Sequence, residues 1–316
     1  MISSVEEFYL DLAAAYQAGK EGRVEAFLRD CLKNVCPCCG KGNDLYLAVV
    51  NEAGTFYQNT GKYDTALGLW EKASFLIMDA YGADSLEYTA NISHIADTCR
   101  LMGDGGRALQ TFERVLELYE KSVGRENYFY ASTLNSISLT FQGMGDLARA
   151  ADYASRAMEI LKQLDGFRQE LATAHVNLSA LFRQQGKNEE AQELLDQALR
   201  LFEETGESCR SYAAALSGKA SFLYAQGNYA QAEKLYREAL EQTAAFAGSS
   251  ADCGVLYVNL AHVAGKLGQA EETLRYLRRA QRIYETVYGR AHKATQRVTR
   301  QLDSLRRKII PQESKG

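Results

Sequence analysis

Residues 177–202 read NLSALFRQQGKNEEAQELLDQALRLF, and residues 218–240 read GKASFLYAQGNYAQAEKLYREAL. Aligned on Gly186 and Gly227, both put a small residue seven places before the glycine (Ser179, Ala220) and alanines five (Ala191, Ala232) and twelve (Ala198, Ala239) after it. The beat runs outward through Gly61, Gly103, Gly145, Gly186, Gly227 and Gly268, at intervals of 42, 42, 41, 41 and 41 residues. A fixed period near forty marks stacked copies of one supersecondary unit.

Each copy repeats the same sizes. The small slot holds Gly54, Ala96, Ser138, Ser179, Ala220 and Ala261. Alanine follows at Ala66, Ala108, Ala150, Ala191 and Ala232, with Thr273 last, and Ala73, Val115, Ala157, Ala198, Ala239 and Ala280 come later. Larger apolar residues stand four before the glycine (Tyr57, Cys99, Phe141, Phe182, Leu223) and nine after (Trp70, Phe112, Leu195, Tyr236, Leu277); Ala264 and Ala154 are undersized. Spacings of three, four and seven keep these residues on one helical face. Each copy is therefore expected to be two helices, with the glycine in the turn, where a left-handed conformation ends the first helix. A second series, Gly82, Gly124, Gly166, Gly206, Gly248 and Gly289, is expected to close the second helix.

The pattern of small residue, aromatic, glycine, alanine, aromatic and alanine resembles the tetratricopeptide repeat, from about Asn43 to His292. The usual unit is about 34 residues. The longer spacing here is similar to the kinesin light chain type, although none of the six loops carries that family's His-Pro after its glycine. The resemblance implies an all-α, right-handed superhelical solenoid of antiparallel helix pairs with a C-terminal capping helix. Its expected organisation is a degenerate helix pair with a Cys-containing loop over 1–42, then repeats at 43–84, 85–127, 128–168, 169–209, 210–250 and 251–292. A capping helix over 293–310 and a tail over 311–316 complete it. In the first pair Gly19 takes the marking position; in the cap, Val298, Leu302, Leu305 and Ile309 have helical spacing, and Pro311 stops the helix.

Two prolines in 316 residues suit nearly continuous helix. The first residues lack the basic start of a secretory signal, and no stretch approaches the eighteen apolar residues of a membrane span. Seven scattered cysteines do not form a secreted disulfide framework, so the cytoplasm is expected. Net charge is −4, but Arg275 to Gly316 carries twelve Lys/Arg against three acids. Cations suit the late turns of helices and no nucleic-acid motif accompanies them, so a protein or peptide partner is expected rather than nucleic acid or membrane. The sequence sets no oligomeric state.

In the family the first helix of each unit lines the concave groove. Residues ten, six and three before each glycine share a face beside the packing face: Asn51, Thr55 and Gln58; Ser93, Asp97 and Arg100; Asn135, Leu139 and Gln142; Val176, Ala180 and Arg183; Ser217, Ser221 and Tyr224; Val258, His262 and Gly265. Asn177 and Asn259 lie close by, resembling kinesin light chain positions whose amides hold a peptide backbone. An amide both donates and accepts, so it pairs with any peptide group. Arg100 and Arg183 are suited to carboxylates, and Tyr224 offers an apolar face with a polar tip. The candidate groove set is therefore Asn51, Gln58, Arg100, Asn135, Gln142, Asn177, Arg183, Tyr224, Asn259 and His262. An adaptor or regulatory scaffold gripping an extended segment is the leading expectation, and a signal-peptide-responsive sensor is the alternative.

Cys31, Cys36, Cys38 and Cys39 crowd the connection after the first pair, and metal or thiol handling there is a further alternative. The spacing does not match paired zinc-binding arms, so no metal or other cofactor is expected. Phosphate loops, H-E-x-x-H, nucleophile elbows and dinucleotide fingerprints are missing, so no enzyme is expected. The paired acids Glu189–Glu190 and Glu271–Glu272 are expected in first helical turns, where they offset the helix dipole.

Overall fold

Residues with helical spacing and almost no proline fold as expected. The computed structural model describes residues 2, 4–18, 21–35, 44–206, 209–247 and 250–309, and among them are fifteen α-helices and no strand. Contacts divide the chain into two units, Met1–Leu164 and Asp165–Gly316. The first holds α1 (Val5–Gln17), α2 (Glu21–Asn34), α3 (Asp44–Asn59), α4 (Tyr63–Tyr81), α5 (Leu86–Leu101), α6 (Gly105–Val123), α7 (Tyr128–Gly143) and α8 (Leu147–Lys162). The second holds α9 (Arg168–Gln184), α10 (Asn188–Thr205), α11 (Arg210–Ala225), α12 (Tyr229–Ala247), α13 (Ala251–Lys266), α14 (Ala270–Tyr288) and α15 (Lys293–Ile309).

The marking glycine does what its position requires. Gly103 takes φ = 85°, and the next residue, Asp104, donates its N–H to the Cys99 carbonyl at 2.9 Å. This six-residue closure satisfies a carbonyl that the end of α5 leaves orphaned. The same bond ends at Tyr57, Phe141, Phe182, Leu223 and Ala264, so the residue four before each glycine both packs and closes the turn. Gly124 ends α6 at φ = 82°, ψ = −174°, a region open essentially to glycine alone. Gly82 and Gly289 cap α4 and α14 in that way, and Gly206 caps α10 in the left-handed conformation. Gly166 departs from expectation: α8 already ends at Lys162. Its last turn tightens through Gln163 N–H to the Ile160 carbonyl (3.0 Å) and Leu164 N–H to the Leu161 carbonyl (3.3 Å). Gly19, Gly248 and Pro311 lie outside the described residues.

The first helices have their own stop-and-start chemistry. Ser85, Asn127, Cys209 and Ser250 each accept the N–H three residues on, capping α5, α7, α11 and α13. Phe167 starts α9 without a side-chain cap.

Packing follows the size pattern. The alanines five after the glycine, and all six residues twelve after it, have no exposed surface. The small slot is where two helices of a pair approach, and Ser138 and Ser179 use it chemically. Their hydroxyls donate to the carbonyls of Ala150 and Ala191, both at 2.7 Å. In the first unit, Trp70 is fully buried, and a Cβ on Gly54 would lie 2.4 Å from its ring. Phe8, Leu12, Val24 and Leu28 bury the faces of α1 and α2. In the second unit a core runs from Leu216 on α11 to Val298 and Leu302 on α15, and a smaller cluster gathers around Phe202. Gln281 of α14 donates to Thr299 of α15 at 2.9 Å. Tyr212 bonds Glu238 at 2.9 Å, and burial together with that carboxylate pushes its phenol up to about 12.

Candidate ligand pockets on the first helices

In the second unit the first helices α9, α11 and α13 stand side by side, and their shared face forms a pocket of about 330 Å³. Arg183 and Asn259 both line it, as do Val176, Ala180, Ser217 and Ser221 from the expected groove face. Its floor includes Leu195 of α10, against which a Cβ on Gly218 would sit at 3.0 Å, so the absence of a side chain there keeps α11 close. Ser221 shares a 2.9 Å hydrogen bond with the hydroxyl of Tyr236. Burial raises the pKa of Tyr236, so the phenol stays protonated and meets Ser221, at the pocket wall, from the core. The pocket thus joins an apolar wall to two hydroxyls, an amide and an exposed guanidinium. Such walls suit an extended chain, whose peptide groups alternate donors and acceptors.

A larger pocket, about 860 Å³, lies where α11 and α13 meet α15. Tyr224 and His262 line it with Lys266, Arg297 and Arg300, and the lining contains no acidic residue. His262 keeps an edge in solvent. Packing on its other side, and then the Arg297 cation, lower its pKa and favour neutral imidazole at pH 7. Other cations of this basic end are partly engaged: Arg306 pairs with Asp303 at 3.8 Å and Arg279 donates to the Tyr257 hydroxyl at 2.9 Å.

In the first unit a pocket of about 390 Å³ opens between α1, α3, α4 and α5, and Asn51 is one of its walls. None of Gln58, Arg100, Asn135, Gln142 or Asn177 lines any of these three pockets. Arg100 is held on its own helix, where Nε donates to Asp97 at 3.0 Å, and the Ser136 hydroxyl donates to the other oxygen of Asp97 at 3.5 Å. Asn135 and Asn177 also have partners within the protein. An arginine with a carboxylate three residues before it satisfies that acid first.

Spacing to the marking glycine does not single out Asn91 and His94, which line the first unit's pocket. The signal was faint: Asn91 occupies a position filled in the other copies by Val49, Thr133, Ala174, Ala215 and Leu256. Of the clustered thiols, Cys36, Cys38 and Cys39 lie outside the described residues. Cys31 is buried on α2, and burial, reinforced by Asp30 and Asp11, raises its pKa. Among the described residues no group of three His, Cys, Asp or Glu side chains is placed to hold a metal, and no helix is long and apolar enough to cross a membrane.

The sequence matches the tetratricopeptide repeat model at residues 46–121, 88–163, 129–204, 170–245 and 211–286. No curated protein matches the sequence. Among solved structures, a Rap protein complexed with competence and sporulation factor is similar at 12% identity and a TM-score of 0.62, over 98% of this chain and 88% of that one. A STAND signal-transduction ATPase with a tetratricopeptide repeat sensor, from Pyrococcus horikoshii, is similar at 12% identity and a TM-score of 0.65, over 96% of this chain and 47% of that one. A putative kinesin light chain with nearly identical TPR-like repeats, from Podosopora anserina, is similar at 18% identity and a TM-score of 0.50, over 62% and 94%. At such identities the likeness is one of fold.

Proposed function

This chain belongs to the tetratricopeptide repeat family, a family of protein-interaction scaffolds, and from that premise we propose that it holds a peptide or extended protein segment against its first helices. The observation that carries this reading is the convergence of Arg183, Ser217, Ser221 and Asn259, from three successive first helices, on one pocket. In this reading the Asn259 amide and the two hydroxyls pair with ligand backbone, and Arg183 selects a carboxylate. The basic pocket beside Tyr224 and His262 continues the same face of α11 and α13 and favours acidic or neutral neighbours in the ligand.

The reading is of a binder without chemistry of its own. The pocket's hydroxyls have no His, Cys, Asp or Glu among the lining residues to activate them. The organisation proposed alongside it is a degenerate helix pair, six repeats and α15 as a cap. Thiols at Cys31, Cys99 and Cys209 that form no disulfide favour a reducing compartment such as the cytoplasm. A signal-responsive role is the second reading. It draws support from the Rap protein, which shares this fold and is complexed with a factor, and from the STAND protein, whose repeats are a sensor.

Selection of displayed random peptides on the immobilised chain tests the proposal. Selected peptides should lose at least tenfold in affinity to an Arg183→Ala/Asn259→Ala variant of unchanged thermal midpoint. Peptides that bind the variant as tightly as the wild type would remove this pocket from the reading.

A further inference from the structure

The pocket of the first unit differs in chemistry from those of the second. Asp44 and Glu87 are among its lining residues, and no Lys or Arg is. Tyr9 and Tyr81 add aromatic faces, and Tyr81 donates to Asp44 Oδ1 at 3.3 Å. His94 lines the same space with its ring stacked on Trp70, the centroids 4.5 Å apart. Burial lowers the pKa of His94, so near neutral pH the imidazole adds no positive charge to offset the acids.

Asn91 supplies a second, independent observation. It is 3% exposed, lines the pocket, and its Nδ2 donates to the Trp70 carbonyl at 3.0 Å and to Ser74 Oγ at 2.6 Å. A carbonyl can only accept, so the orientation of the amide is fixed. Oδ1 is then the leftover acceptor, and it has no partner. A buried acceptor without a donor is unfavourable, and a donor entering the pocket would relieve it.

Two carboxylates, an unpaired carbonyl-type oxygen and two phenol rings describe a receptor for a small cation with several hydrogens. A metal ion fits poorly: Asp44, Glu87 and His94 line the space, but among the described residues no three such side chains are placed to hold one. We propose that this pocket binds a primary ammonium group carried by a peptide, either a lysine side chain or a free N-terminus. An ammonium has three donors for the acceptors Asp44, Glu87 and Asn91, and its charge is attracted to tyrosine faces. The volume, about 390 Å³, admits one such residue rather than a folded partner. This site is separate from the second unit's pocket, and its test does not depend on that reading.

The chain contains one tryptophan, and that tryptophan stacks on a wall of the pocket, so its fluorescence reports occupancy. The full chain is titrated with Nα-acetyl-lysine amide, alanine amide and the uncharged Nα-acetyl-norleucine amide. A saturable change with either amine and none with norleucine supports the site, and the amine that binds identifies the source. Asp44→Asn/Glu87→Gln should weaken binding at least tenfold, while Arg183→Ala/Asn259→Ala leaves it unchanged. Raising salt from 50 to 500 mM should weaken it severalfold, a measurement that needs no variant. No saturable response to either amine, an equal response to norleucine, or indifference to salt would overturn the proposal.

Discussion

Gly54 and Gly68 lie on opposite sides of one question: what a methyl group costs. On Gly54 it would meet the fully buried Trp70 ring at 2.4 Å, whereas on Gly68, inside α4, it would meet nothing within 4 Å. Overpacking a rigid ring costs about 1–3 kcal/mol, and replacing helical glycine by alanine stabilises by up to about 1 kcal/mol. Urea unfolding should therefore show Gly54→Ala destabilised by about 1–2 kcal/mol and Gly68→Ala stabilised by a few tenths to about 1 kcal/mol. Equal shifts of one sign would refute the contact. His94 offers a pH test. Its folded pKa lies below the ordinary value of 6.5, so the unfolded chain takes up the proton first as pH falls. Stability is undiminished by this group above about pH 6.5 and declines below it. His94→Phe keeps a flat ring on Trp70 and cannot titrate, so its urea midpoint should vary less between pH 7 and 5 than the wild type's.

At the scale of the helix, some signals were legible because one letter repeats and others were hidden because several letters do one job. The alanines five and twelve after the glycine, and the glycines themselves, stood out, since contact and dihedral angle each admit one kind of residue. The first-helix caps did not: Ser85, Asn127, Cys209 and Ser250 each offer an acceptor atom, but three different letters supply it. The candidate pocket was legible in part. Arg183 and Asn259 meet in one pocket, but Arg100 turns to Asp97, a local pairing that spacing to the glycine does not register. Size alone assigns Tyr236 to the core, although its hydroxyl reaches Ser221. Two substitutions separate the element-level causes. Gly124→Ala should cost about 1–3 kcal/mol through the backbone alone, since its Cβ would meet nothing. Ser85→Ala should cost about 1 kcal/mol through the lost cap. Chemical denaturation measures both, and a neutral Gly124→Ala would contradict the observed backbone angles.

For the whole molecule, the chief contacts join helices that are consecutive or nearly so in sequence, and each of the two units has its own core. Stability in such a chain is a sum of local terms and nearest-neighbour terms, without one indivisible transition. Trp70 reports the first unit only, whereas far-ultraviolet circular dichroism reports every helix. The two signals should give different urea midpoints, and coincident curves would show that the chain unfolds as a single cooperative body.

The glycines that end α4, α6 and α14 carry a consequence for how copies of this unit age. A φ near +85° with ψ near 180° is punctuation that no other amino acid can write without strain, while a helix start tolerates serine, asparagine or thiol. Mutational drift should therefore blur the words of a repeat long before it erases the full stops, and a copy too worn to align by its packing residues remains countable by them.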